Sequence, residues 1–294
     1  MDQARVRAAT SIGAAAILLW STLALLAAQA RAIPPFELTA AAFSIAFALS
    51  LLKWIAAGQS PLRHLRQAWP VWLLGVGGLF GYHFLYFVAL RHAPPVEANL
   101  INYLWPLLIV LFSALLPGER LRWFHLAGAA AGLAGTALVV TGGEIRFDPR
   151  FLAGYGAALA CAATWAGYSV LSRRVSHVPT DAIGGFCGAT AVLAWVCHAL
   201  LEPTVWPEGG IWLALLGLGL GPVGAAFFLW DHGVKHGDIK ALGAFAYATP
   251  LLSTLLLILF GVASPRWSLM IAVLLISGGA ALGAGDLLVR RSTR

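Results

Sequence analysis

The side chains that could do chemistry in this sequence are indoles, phenols and amides embedded in apolar runs. Trp20, Tyr82, His83, Tyr86, Asn99, Asn102, Tyr103, Trp105, Trp165, Tyr168, Phe245 and Tyr247 all lie inside stretches that contain no Asp, Glu, Lys or Arg. Ser21, Thr22, Thr164, Ser169, Phe227 and Trp230 accompany them. Tyr82, His83 and Tyr86 are spaced to share one side of a helix. Asn99, Asn102, Tyr103 and Pro106 follow the i, i+3, i+4, i+7 pattern of a single helix face, which Ser113 continues. Gly243, Tyr247, Pro250 and Thr254 form a matching stripe. Such groups stack on aromatic solutes, exchange hydrogen bonds with neutral ones and attract an ammonium group to a π face. A carboxylate at the same depth would suit cations or proton exchange, and a Lys or Arg would suit phosphorylated solutes. Neither lies deep in any run. The constellation therefore fits neutral or zwitterionic small molecules. His83, the only histidine far inside a run, either titrates near neutral pH and couples binding to protons or serves as a neutral hydrogen-bonding group.

Membrane-spanning helices are what must position these residues. Of 294 residues, 60% are hydrophobic and 11% charged, against about 25% charged in a soluble domain, and the mean hydropathy is +0.82. Cutting the chain at every charged residue leaves long runs at 8–30, 38–52, 67–90, 98–118, 123–143, 151–172, 182–201, 209–230, 241–265 and 267–285. A hydrocarbon core of about 30 Å takes about 20 helical residues. The shortest run, 38–52, reaches that length with Phe36, Glu37, Lys53 and Trp54, because terminal charges extend to the interface. The runs lack the alternation of strands, so they predict an all-α integral membrane protein of ten transmembrane helices. The lipid bilayer is its first partner.

The net charge of +7 is explained by topology, and no nucleic-acid partner is expected. With the amino terminus in the cytoplasm, inside segments carry Arg5, Arg7, Lys53, Arg63, Arg66, Arg120, Arg122, Arg173, Arg174, Lys235, Lys240, Arg290, Arg291 and Arg294. Outside segments carry only Arg31, Arg91, Arg146, Arg150 and Arg266. The positive-inside rule then sets both termini in the cytoplasm. Arg5, Arg7 and the triplet Ala28-Gln29-Ala30 imitate a secretory leader. The apolar run between them exceeds the usual h-region of about 7–15 residues, so it reads as helix 1.

A shift of 144 residues lays the second half on the first. His92 meets His236, Tyr103 meets Tyr247, and Pro106-Leu107-Leu108 meets Pro250-Leu251-Leu252. Arg122-Trp123 meets Arg266-Trp267, Gly135 meets Gly279, and a shift of 145 brings Trp20 onto Trp165 and Pro34 onto Pro179. Residues 1–147 and 148–294 are thus expected to be duplicate five-helix repeats. Because five is odd, the copies insert with opposite orientation. Inverted repeats around a midplane cavity are a recurring architecture of secondary transporters, and two such repeats enclosing a central cavity are expected. Proline inside a helix costs roughly 3 kcal/mol, which a cavity makes tolerable by letting water or a hydroxyl satisfy the freed carbonyl. Pro106 and Pro250 are the expected hinges, a static packing kink being the alternative.

Other chemistries are poorly served. Cys161, Cys187 and Cys197 form an odd set inside the runs, with no CxxC pair. Asp231, His232 and His236 have a metal-like spacing at a helix end but no convincing third ligand. Gly283-Ala284-Gly285-Asp286 spells the GxGD of intramembrane aspartyl proteases, which need a second membrane aspartate. No HExxH, GxSxG or P-loop occurs. Neither an enzyme, a cofactor nor a bound metal is expected. Gly128/Gly132 and Gly279/Gly283 read as close helix packing within one chain, so a monomer is expected.

Ten short helices, inverted halves, paired Tyr–Pro stripes and compact loops resemble the drug/metabolite transporter superfamily, in its EamA branch, over nearly the whole chain. Tyr82-His83 in helix 3 and the NYLWPLL segment at 102–108 in helix 4 are similar to the aromatic amino acid exporters of that branch. The resemblance implies a basket-shaped bundle in a bacterial inner membrane that exports aromatic and other neutral amino acids. It carries the central residues of the family onto Trp20, Tyr82, His83, Tyr86, Tyr103, Trp105 and Trp165. The expected mechanism is alternating access, which without a deep carboxylate can run down the solute's own gradient. An exporter of other hydrophobic metabolites or drugs, and a receptor or scaffold with a static pocket, are the competing expectations.

Overall fold

A computed structural model describes residues 3–264 and 267–285, and every regular element among them is helical. Where no water is available, the backbone has to close its hydrogen bonds within the segment, and a helix does so. The helices are α1 (Gln3–Ser21), α2 (Leu23–Gln29), α3 (Pro35–Ala56), α4 (Pro61–Leu65), α5 (Trp69–His92), α6 (Pro95–Asn102), α7 (Trp105–Ser113) and α8 (Trp123–Thr141). They continue with α9 (Leu152–Ser172), α10 (Ala182–Leu201), α11 (Ile211–Leu220), α12 (Ala226–His236), α13 (Ile239–Ala246), α14 (Ala248–Leu259) and α15 (Ser268–Gly283). Eight helical segments are long and apolar enough to cross a membrane: α1–α2, α3, α5, α6–α7, α8, α10, α11–α12 and α13–α14. α15 is apolar and shorter; α9 carries no charge between Leu152 and Ser172. Asp286 of the GxGD segment and Arg266, Arg290, Arg291 and Arg294 lie outside the described residues.

Four of the segments break near mid-length, each for a local reason. Between α6 and α7 the N–H groups of Tyr103 and Leu104 reach Asn99 O (2.9 Å) and Ile101 O (3.0 Å), just ahead of Pro106, which has no N–H to give. α13 and α14 meet at Tyr247, three residues before Pro250, the position equivalent to Pro106. The other two breaks have no such twin. α1 and α2 part at Thr22, where the hydroxyls of Ser21 and Thr22 donate to Leu18 O (2.6 Å) and Leu19 O (2.7 Å), a side-chain competition that bends helices. Between α11 and α12, Gly221–Ala225 form a π-helical turn around Pro222, a device concentrated at functional sites. Trp20 Nε1 donates to Pro222 O at 3.0 Å and joins the two unmatched breaks.

Helices pair across the two halves: α8 lies along α15, α5 along α9, α3 along α10 and α1 along α12. Small residues allow this. A Cβ on Gly128 would stand 2.6 Å from Gly279 O and 2.7 Å from Gly283 N, so backbone opposes backbone with nothing able to swing aside. Gly128→Val is therefore expected to destabilise the fold by about 1–3 kcal/mol, the usual cost of overpacking, and to lower the thermal unfolding midpoint in detergent. An unchanged midpoint would mean that α8 and α15 separate freely.

Chain direction sorts the residues by depth. α1–α2, α5, α8, α10 and α13–α14 run from a first face of the bundle to a second, and α3, α6–α7, α9, α11–α12 and α15 return. At the first face, ion pairs and hydrogen bonds join the ends of several elements. Lys240 Nζ lies 2.9 Å from Glu119 Oε2, with Arg173 3.7 Å from the same carboxylate. Lys235 and Asp231, both buried and one turn apart on α12, pair at 2.9 Å, and their further bonds join α12 to the loop before α10. The Thr180 hydroxyl donates to Asp231 Oδ2 (2.7 Å), and Lys235 donates to Val178 O (3.0 Å). At the second face, the Glu202 carboxylate caps α3 by accepting the N–H groups of Phe36 and Glu37 and the Nδ1–H of His198.

Candidate functional site

A cavity of about 400 Å³ lies among α1–α2, α3, α5, α6–α7, α9, α11–α12 and α14. Every lining residue belongs to mid-depth or to the half of the bundle nearer the second face, so the cavity lies on that side and the ion-paired face lies beyond its floor. The half nearer the ion-paired face is filled where α1 meets α12. There a Cβ on Gly13 would stand 2.9 Å from the Gly233 Cα.

The floor is aromatic. Trp20 and Trp165, the residues aligned by the internal shift, have ring centroids 5.6 Å apart at 77°. Trp105 lies 6.3 Å from Trp20 and 6.4 Å from Trp165, edge to face with both. Phe227 lies 6.2 Å and 5.7 Å from the same two rings and stacks on Phe43 at 5.6 Å. Edge-to-face and offset contacts of this kind each add about 0.5–1.5 kcal/mol beyond burial. Beneath them Trp230 is fully buried, 5.1 Å from Trp20, with its Nε1–H donated to the Ser169 hydroxyl at 3.0 Å. The floor is consequently rigid, and Trp20 is held twice, by its neighbours' faces and by the carbonyl of the π-helical turn.

The walls carry the polar groups, because α5 and α6 face each other across a short turn. The Tyr86 hydroxyl donates to Asn99 Oδ1 (2.6 Å), and Asn102 Nδ2 donates to the Tyr82 hydroxyl (3.0 Å). Tyr82 and Tyr86 lie parallel, one turn apart, with centroids at 6.2 Å. His83 Nδ1 is 2.8 Å from Leu79 O, one turn back on its own helix. No Asp, Glu, Lys or Arg lines the cavity among the described residues.

Trp20, Tyr82, His83, Tyr86, Asn99, Asn102, Tyr103, Trp105 and Trp165 line the cavity. Tyr168, Phe245 and Tyr247 do not. Tyr168 lies behind Trp165, 5.2 Å from it, against the face of α5 at Gly78. Tyr247 is fully buried against Gly132 of α8, and Phe245 packs on the main core. Pro106 and Pro250 are buried at their breaks and lie off the cavity surface. His232 and His236 stack on each other (4.7 Å), while Asp231 beside them is engaged by Lys235 and Thr180. Cys161 and Cys187 are buried, and Cys161 Sγ donates to Tyr82 O.

Several lining residues were not singled out by sequence: Phe43, Phe87, Thr39, Pro222, Thr249 and Ser253. Phe43 and Phe87 carry no mark that separates them from any other apolar residue of a span. Thr249 and Ser253 sit one residue off the Tyr247–Pro250–Thr254 stripe, and one helical residue is a rotation of about 100°.

The EamA-like transporter family matches residues 8–141 and, a second time, residues 152–283. The chain is 56% identical over 285 residues to the aromatic amino acid exporter YddG of Ancylobacter novellus, covering 96% of this chain and 98% of that one. It is 26% identical over 294 residues to the protein of the same name in Escherichia coli K12, covering 93% and 96%. It is also 26% identical to a probable terminal-alkyne amino-acid exporter of Streptantibioticus cattleyicolor, covering 81% and 79%. A crystal structure at 56% identity superposes with a TM-score of 0.91 over 95% of this chain and 98% of the other.

Proposed function

Because this chain belongs to the EamA-like transporter family, we propose that it exports aromatic and other neutral amino acids from the bacterial cytoplasm by alternating access. The observation that carries the reading is the cavity itself: uncharged, floored by Trp20, Trp105, Trp165 and Phe227, and open to one face. An aromatic side chain fits that floor. An amino acid backbone, being a zwitterion, needs hydrogen-bonding walls without a fixed net charge.

The topology proposed is ten spans, the eight long segments together with α9 and α15, forming inverted repeats over 1–147 and 148–294 in the inner membrane. Two family matches, each filling about one half of the chain, support the repeats. Both termini are cytoplasmic, as the basic residues favour. The ion-paired face is then the cytoplasmic one, and the cavity faces outward. Loading from the cytoplasm requires the Glu119–Lys240 tie, and the bonds from Asp231 to Thr180 and from Lys235 to Val178 O, to part while the outer half closes. Bends at Pro106 and Pro250 take up the backbone change, and one chain encloses the cavity, so a monomer suffices. The nine lining residues Trp20, Tyr82, His83, Tyr86, Asn99, Asn102, Tyr103, Trp105 and Trp165 form the proposed substrate site.

Proteoliposomes loaded with labelled phenylalanine test this. Efflux well above that of protein-free vesicles, competed by other aromatic and neutral amino acids, is the expected result. Efflux competed only by unrelated apolar compounds would move the substrate to hydrophobic metabolites or drugs. Binding without flux would leave a receptor with a static pocket.

A further inference from the structure

The hydrogen-bond directions inside the cavity give it two chemical poles. His83 Nδ1 faces a carbonyl, Leu79 O at 2.8 Å, so this nitrogen must carry the proton. Among the described residues no carboxylate lines the cavity to support a charged imidazole, and in the neutral ring with Nδ1 protonated, Nε2 keeps a lone pair. That nitrogen has no hydrogen-bond partner among the described residues. It is an acceptor only. Its surroundings are π surfaces, Phe43 at 5.2 Å and Phe227 at 6.4 Å.

The neighbouring wall has the opposite polarity. The Asn99 carbonyl oxygen accepts from the Tyr86 hydroxyl (2.6 Å), which turns that oxygen to the α5 wall and leaves the NH₂ group, with its two donors, uncommitted. The Tyr82 hydroxyl accepts from Asn102 (3.0 Å), which leaves its own proton to give. An ammonium group has donors and no acceptor, and a carboxylate has the reverse. We propose that the cavity fixes the orientation of an amino acid: the α-ammonium goes to His83 Nε2 and its aromatic neighbours, and the α-carboxylate goes to the amide of Asn99 and the hydroxyl of Tyr82. His83 is thereby the residue that requires an amino group on the solute, acting as an acceptor without any change of protonation. This rests on the amino acid reading above and adds which residue reads which charge.

Two half-ligands separate the poles. Phenethylamine keeps the ammonium and lacks the carboxylate; 3-phenylpropionate does the reverse. The readout is the concentration of each that gives half-maximal thermal stabilisation of the purified protein, which needs no flux. A hydrogen bond to a charged group is strong enough that its loss weakens binding roughly tenfold or more. His83→Phe, which keeps a ring and removes the acceptor, should weaken phenethylamine by that factor and leave 3-phenylpropionate unchanged. Asn99→Leu should do the opposite. His83→Gln restores an acceptor, should recover phenethylamine binding, and decides the matter if His83→Phe does not fold. Equal shifts of both half-ligands in each variant, or loss of 3-phenylpropionate in the His83 variants, would overturn the assignment while wild-type binding and phenylalanine efflux stand. A wild-type protein stabilised by neither half-ligand nor by phenylalanine would instead sink the amino acid reading and the orientation with it.

Discussion

Trp165→Ala is expected to reduce phenylalanine efflux about 100-fold or more per reconstituted molecule. Trp165 is the residue on which the floor converges, within 6.4 Å of Trp20, Trp105, Trp230, Tyr82, Tyr168 and Phe227. Removing a buried indole costs about 3–5 kcal/mol, and a loss of about 3 kcal/mol from the solute's aromatic contacts corresponds to roughly 100-fold. The surrounding rings would also relax into the space, so the cavity loses its shape as well as its surface. Trp165→Phe keeps a ring and should lose far less. Initial efflux rates, normalised to protein that elutes as a single species, measure both. A Trp165→Ala rate within threefold of wild type would remove the floor from the transport path.

Asp231→Leu is expected to destabilise the protein by about 3–5 kcal/mol, because it leaves the Lys235 ammonium buried without its counter-charge. Neither residue is exposed, so solvent does little to screen the loss. The double variant Asp231→Leu/Lys235→Met should regain most of the lost stability, since an apolar pair avoids the desolvation that the ion pair has to offset. Thermal unfolding of the two variants side by side settles it: a double variant no better than the single would assign the cost to Thr180, which also bonds Asp231, and away from charge burial. The double variant also removes the bonds from Asp231 to Thr180 and from Lys235 to Val178 O, which join α12 to the loop before α10, so it is expected to expose cysteines introduced at Gly13 depth more readily to a reagent from that side.

Most spans were legible because charge marks where they end. The run 67–90 became α5 and 182–201 became α10 to within a few residues, as the dielectric boundary requires. Pro106 and Pro250 were legible as break points because an absent N–H is a property of the residue alone. The facing of side chains was less so. A helical wheel assumes one continuous phase, and the break at Tyr247 resets it. The wheel aligned Tyr247, Pro250 and Thr254, but the cavity is met by Thr249 and Ser253, while Tyr247 fills the notch that Gly132 leaves in α8. The α6–α7 stripe kept its phase down to Tyr103 because Asn99 and Asn102 precede the break and Tyr103 is its first residue. The buried Asp231–Lys235 pair lay at the edge of an uncharged run, and nothing in the spacing told that Thr180, from a distant loop, would complete it. The π-helical turn at Pro222 was not anticipated, for its twin position, Gly78, sits in an unbroken helix.

That last asymmetry has a kinetic meaning. A carrier built from two identical antiparallel halves turns into itself when flipped, so its two access states would be degenerate and its apparent affinity the same from either compartment. The breaks at Gly221–Ala225 and Thr22 have no counterpart at the equivalent Gly78 and Gly167, which lie in unbroken helices. In the proposed alternating-access cycle the chain itself would lift that degeneracy, tenfold in resting occupancy for every 1.4 kcal/mol. Under the proposed alternating access, half-saturation is then expected to differ between the two compartments, an asymmetry of kinetics that leaves the equilibrium untouched.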